Sequence, residues 1–173
     1  KLKSAKESGA TTDLCTRPLS ELPPTALMDL FDDVSRTTYL FRISDLLRVI
    51  HDALSHAPDF FTAPMEPRNP YTNIPFTHAQ LYSIYETVRR SPFEIPTLFH
   101  LFRSVGFSIT DFTIRYEPVV REVVIDEFAT ASDARKHALI LSMAREHERE
   151  LRGITIHPDF PVPALIAGLG PYL

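Results

Sequence analysis

The first twenty positions are polar and show no repeating apolar spacing, so residues 1–20 are expected as a flexible N-terminal arm and residues 21–173 as a single helical domain. After Pro23 and Pro24, the residues Leu27, Leu30 and Phe31 fall at helical spacing with Asp29, Asp32 and Asp33 opposite, which predicts a first short helix. A second is predicted from Ser44, where Leu46, Leu47, Ile50, Ala53 and Leu54 form one apolar stripe. The stretch from Pro58 to Phe76 carries Pro58, Pro64, Pro67, Pro70 and Pro75, so no regular helix can run through it. It also carries Phe60, Phe61, Tyr71, Ile74 and Phe76, and is therefore expected as an extended but packed loop.

Beyond the loop, Thr77-His78-Ala79-Gln80 has the form of a capping box, opening a helix that buries Leu81, Ile84, Tyr85 and Val88. Ser91-Pro92 stops it. Pro96 suits the first position of the next helix, with Leu98, Phe99, Leu101, Phe102 and Val105 inside and Gly106 as its C-terminal stop. Ser108 or Thr110 then caps a longer run whose inner face holds Phe112, Tyr116, Val119, Val120, Val123, Val124 and Phe128, with a kink or break expected at Pro118. Ser132 and Asp133 start a last long helix with Ile140, Met143, Ala144, His147 and Leu151 on one face, and Gly153 ends it. Arg145, Glu146, Glu148, Arg149 and Glu150 form its charged outer face. The apolar segment 160–173 is expected to pack back on the body. The fold class expected is mainly α, a compact bundle of about six helices with a Pro-rich packed loop and an extended arm.

Composition narrows the function. The 173 residues include 44% hydrophobic and 23% charged side chains, the balance of a globular domain with its own core. With 12 Phe, 6 Tyr and no Trp, that core is built on phenylalanine and aliphatic residues. A net charge of −4 argues against a nucleic-acid binder, which needs a concentrated basic surface. No run approaches the roughly 20 apolar residues of a membrane-spanning helix. The single cysteine, Cys15, has no intrachain partner and is expected as a free structural thiol rather than a catalytic nucleophile.

The reactive side chains do not assemble into a known catalytic or metal pattern. The five glycines are not spaced for a phosphate loop. His51 and His56 are five apart and do not share a helix face, while His147 and Glu150 sit on a highly charged helix. Asp29, Asp32 and Asp33 lack the glycine turn of a calcium loop, and together with Glu122, Asp126 and Glu127 they are expected on solvent faces. His100, between Phe99 and Leu101, is expected as a core or boundary residue; an enzyme site around it is the weakest of the readings. No catalytic residue, cofactor or metal is expected.

The most distinctive string is Asn69-Pro70-Tyr71-Thr72-Asn73-Ile74-Pro75-Phe76. Asn69 can fold its side chain onto the backbone two residues ahead, Pro70 fixes φ, and Thr72 or Asn73 can repeat the device. Two readings follow: a clamp that positions the Thr77 helix, or a rigid surface in which Asn69, Pro70, Tyr71, Thr72, Asn73 and Ile74 meet a partner. This string, with the Leu81-Tyr82-Ser83-Ile84-Tyr85 helix and the Pro96-Thr97-Leu98-Phe99-His100 element, resembles a family of uncharacterised proteins from large eukaryotic DNA viruses of the mimivirus and phycodnavirus kind. The segments Ile156 to Pro161 and Gly170 to Leu173 also look like that group's C-terminal end, so the resemblance covers about residues 40–173.

The resemblance implies a viral origin and, by analogy, a non-enzymatic minor capsid protein that binds neighbouring capsid or virion proteins in many copies. Its expected location is then the virion, with the host cytoplasm during assembly, and no direct contact with nucleic acid. The alternative is a virus-encoded adaptor that docks a protein partner through the same Pro-rich turn.

Overall fold

A computed structural model describes residues 6–7, 12–58, 61–146, 156–157 and 159–169. The chain is mainly helical, with six α-helices and one small sheet among these residues. It divides into two compact units. The first takes in Lys1–His56 and Pro64–Glu117, the second Ala57–Ala63 and Pro118–Leu173.

The first unit opens on the sheet, which the sequence reading did not anticipate. Strand β2 (Leu27–Asp32) pairs antiparallel with β3 (Thr37–Arg42), and the two-residue strand β1 (Lys6–Glu7) joins β3 in parallel, giving the order β1-β3-β2. The helix expected after Pro24 is thus corrected to one 3-10 turn, Pro24–Ala26, followed by a strand. Leu27, Leu30 and Phe31 satisfy helical spacing, but the segment alternates: Met28, Leu30 and Asp32 are buried and Asp29 and Phe31 exposed. The partner Thr-Thr-Tyr-Leu-Phe is β-branched and aromatic, a composition that favours a pleated surface.

Asp32, expected on a solvent face, instead folds the hairpin. Its buried carboxylate accepts from the Val34 and Ser35 amides, each at 3.2 Å, and from the Ser35 hydroxyl at 2.6 Å. Burial alone pushes this carboxyl up, but these bonds outweigh it and hold Asp32 below its ordinary value of 3.8.

The helices of this unit follow from their ends. Helix α1 (Ile43–Leu54) buries Ile43, Leu46, Leu47, Ile50 and Leu54 along one stripe. Helix α2 (His78–Arg89) begins with a complete capping box: the Gln80 amide donates to Thr77 Oγ1 at 3.2 Å, and the Thr77 amide to Gln80 Oε1 at 2.8 Å. Its buried residues are Leu81, Ile84, Tyr85 and Val88, and full burial of an aliphatic side chain of this size contributes about 1.5–3 kcal/mol.

Helix α3 (Thr97–Ser104) buries Leu98, Phe99 and Phe102 and ends in a Schellman turn. The Phe107 amide donates to Phe102 O at 3.0 Å and the Gly106 amide to Arg103 O at 2.9 Å, with Gly106 at φ +64°. Phe107 also takes a positive φ of 61°, a costly conformation for an aromatic residue. Its ring offsets that cost by packing on Phe102 at 5.3 Å, Tyr82 at 4.8 Å and Phe99 at 6.0 Å.

Helix α4 (Ile109–Thr130) runs through Pro118, the residue at which the second unit begins. Proline there removes one backbone donor, and the helix nevertheless runs on through it without the break that was one of the two expected outcomes. In the second unit α5 (Asp133–Glu146), with Ile140 fully buried, packs with α6 (Val162–Leu169), whose Leu165 is buried. His147, Leu151, Gly153 and Gly170 to Leu173 lie outside the described residues, as does Phe60.

Candidate functional site

The 69–74 turn is built almost wholly from its own backbone. The Asn69 amide donates to Ile74 O at 2.9 Å, and Asn69 O accepts from Asn73 at 2.7 Å and Thr72 at 3.2 Å. Asn69 is 3% exposed, and its side-chain Oδ1 accepts from the Tyr71 amide at 2.9 Å, the Asx turn the sequence suggested. The Ile74 amide reaches Thr72 Oγ1 at 3.4 Å, Arg68 Nη1 donates to Asn73 O at 2.9 Å, and a bridge between Arg68 and Pro75 closes the base. Asn73 takes the left-handed conformation, φ 56°, which asparagine tolerates better than most residues. Pro70 and Asn73 are exposed at the tip, and Thr72 and Ile74 are half-buried.

Tyr71 projects from this turn onto the sheet and stays 39% exposed. Its ring stacks on Tyr39 at 5.4 Å and 12° and tilts against Phe41 at 5.2 Å and 36°. Tyr39 and Phe41 are two apart on β3, so one strand face carries both rings. This seat was not foreseen; the β-branched and aromatic composition of Thr37–Arg42 was a signal for the strand that carries it, though not for its contact with Tyr71. Partial burial, followed by the negative charges of Asp45 and Asp13, raises the Tyr71 phenol above its ordinary value of 10.0, so it stands neutral and able to donate.

Those carboxylates belong to a second polar group that ties down the chain before Leu19. Asp13 is buried; its Oδ1 accepts from the Arg17 amide at 2.8 Å and the Cys15 amide at 2.9 Å, and its Oδ2 pairs with Arg42 Nη1 at 3.1 Å. Asp45, buried on α1, accepts from the Leu14 amide at 2.9 Å and lies 3.5 Å from Arg48 Nη2. From residue 12 onward the expected flexible arm is therefore bonded to β3 and α1. The fold also brings Arg48 Nη2 within 3.2 Å of the exposed Cys15 Sγ from 33 positions away.

The other singled-out residues stay apart from the turn. His100 is exposed, and its Nδ1 sits 2.7 Å from the hydroxyl of buried Tyr85, whose ring carries Arg103 at 4.5 Å. Asp29 and Asp33 are exposed while Asp32 caps the hairpin. Among the described residues no three His, Cys, Asp or Glu side chains gather as metal ligands, and no helix is long and apolar enough to cross a membrane. The hydrogen-bonding groups of the turn are largely spent on the turn itself, so what it offers outward is ring surface, one phenol and the Pro70 to Asn73 tip. Comparison with protein families, with curated proteins and with solved structures finds no match to this chain.

Proposed function

We propose that this chain is a non-catalytic structural protein of a large DNA virus particle, a minor capsid component that binds neighbouring capsid proteins through its 69–74 turn. One observation carries the binding role: a loop rich in proline is fixed by its own hydrogen bonds so that Tyr71 is held on a ring seat yet remains 39% exposed. An anchor ordered before it meets a partner loses little conformational freedom on binding, and tyrosine offers large contact area with few rotatable bonds. The particle setting rests on the resemblance of the turn and of the helices after it to proteins of large DNA viruses.

Quantitative mass spectrometry of purified particles tests the setting, and the expected result is this chain at a copy number comparable with other structural components. Its absence from particles would remove the capsid reading. Tyr71→Ser tests the surface: it gives up the contacts with Tyr39 and Phe41, so Tm should fall by several degrees with the chain still folded, while association with the capsid partner weakens by tenfold or more, the loss of an aromatic anchor. If Tyr71-dependent binding persists with a protein that is not in the particle, the chain is an adaptor.

A further inference from the structure

A second surface of the first unit, away from the turn, has the form of a docking groove. Strand β2 is an edge of the sheet, since β3 lies between it and β1. Gln80 Nε2 donates to Phe31 O at 2.8 Å from outside the sheet. Backbone direction alternates along an antiparallel strand, so Leu27, Asp29 and Phe31 face the side away from β3; the Leu27 N–H is already given to Pro24 O and Phe31 O is taken by Gln80, which leaves Leu27 O and both backbone groups of Asp29 on that side. Two clefts lie along that side, of about 520 Å³ and 320 Å³, and Ser83 of α2 lines both.

The clefts differ in charge. The first has an apolar floor of Pro24, Leu27 and Ile43 and carries Glu86 and Arg90. Glu86 is taken by Arg89 at 2.7 Å and by Arg103 at 3.8 Å, whereas Arg90 has no side-chain ion pair or hydrogen bond among the described residues. The second cleft carries Asp29 and Asp33. Asp33 pairs with Arg36 at 3.3 Å, which leaves Asp29 as its free carboxylate. The groove therefore has one unpaired cation beside the start of β2 and one unpaired anion beside its middle, along an open strand edge.

We propose that this groove docks an extended segment of a partner protein. The segment adds antiparallel to the β2 edge, with a lysine or arginine against Asp29 and, about three or four residues later, an acidic side chain against Arg90. Main-chain bonds to Leu27 O and to both backbone groups of Asp29 supply the pairing, and the two charges set its direction and register. Gln80, already bonded to Phe31 O, closes the ladder at that end. A second copy of this chain is the poorer occupant, because pairing β2 on β2 about Asp29 sets two carboxylates opposite each other.

The test is a titration of the ¹⁵N-labelled full chain with acetyl-Lys-Val-Thr-Val-Glu-amide, followed by amide shifts. The Asp29, Phe31 and Ser83 amides should move, with a dissociation constant on the order of 1 mM. Asp29→Lys and Arg90→Glu, both at exposed positions, should each weaken binding about three- to fivefold, as expected for solvent-facing charge contacts. The double variant should prefer the reversed peptide, acetyl-Glu-Val-Thr-Val-Lys-amide. Equal binding of the two peptides to the parent chain, or no movement of β2 amides up to about 5 mM, overturns the proposal. Tyr71→Ser should leave this titration unchanged, so its failure and that of the turn reading are separable.

Discussion

Asn69→Ala is the sharpest probe of how the turn is held. The backbone bonds of residue 69 survive the change, and what is lost is Oδ1, the acceptor for the Tyr71 amide at 2.9 Å. Residue 69 is 3% exposed, so water cannot readily replace that acceptor. Leaving a donor unsatisfied in such a place costs about 1–3 kcal/mol. For a chain of this length each kcal/mol lowers Tm by about 2–4 °C, which places the expected fall between about 2 and 12 °C in a thermal melt followed by circular dichroism. Hydrogen exchange at the Tyr71 amide should accelerate in step, because this is the group set free. Thr72→Ala is the comparison: its hydroxyl accepts at 3.4 Å beside exposed positions, so its cost should stay below about 0.5 kcal/mol. Equal melting of Asn69→Ala and the parent chain, with unchanged exchange at Tyr71, would refute the view that this side chain sets the turn.

Three further outcomes are expected. Thr77→Ala removes the N-cap acceptor of α2 and should cost about 1 kcal/mol in a urea melt, with Gln80→Ala costing more because it undoes the other half of the box and also removes the donor to Phe31 O. Gly106→Ala meets no atom within 4 Å of the added Cβ, so its cost is conformational; at φ +64° it should be about 1 kcal/mol, read as a Tm fall of about 2–4 °C. The Arg17 amide foremost, with Cys15 and Arg42 beside it, holds the Asp13 carboxyl below its ordinary value of 3.8. A depressed carboxyl contributes stability that is full above 3.8 and is lost as pH falls through its folded value. The stability gap between the parent chain and Asp13→Asn should therefore be constant from neutral pH down to about 4 and close below that, as urea melts across the acid range would show.

What the sequence made legible was local. The capping box, the four buried positions of α2 and the glycine stop after α3 each depend on residues within one or two turns of helix. The Asx turn at Asn69 is equally short-range. The hairpin was missed because Leu27, Leu30 and Phe31 suit a helix as well as a strand, and the deciding partner lies beyond a loop that Asp32 closes. The ring seat of Tyr71 joins residues far apart in the chain, as does the Cys15 to Arg48 contact, and no spacing rule encodes either. Pro118 raised the expectation of a kink or break, but a helix can lose one backbone bond and continue when its neighbours remain packed.

A photo-crosslinking residue placed at position 71 in virus-producing cells tests the central claim most directly, with the same residue at Val34, an exposed hairpin-tip position, as the reference. The account predicts one dominant adduct from position 71, to a protein that co-purifies with the particle, and none of that species from position 34. The same faint spread of adducts from both positions would contradict it.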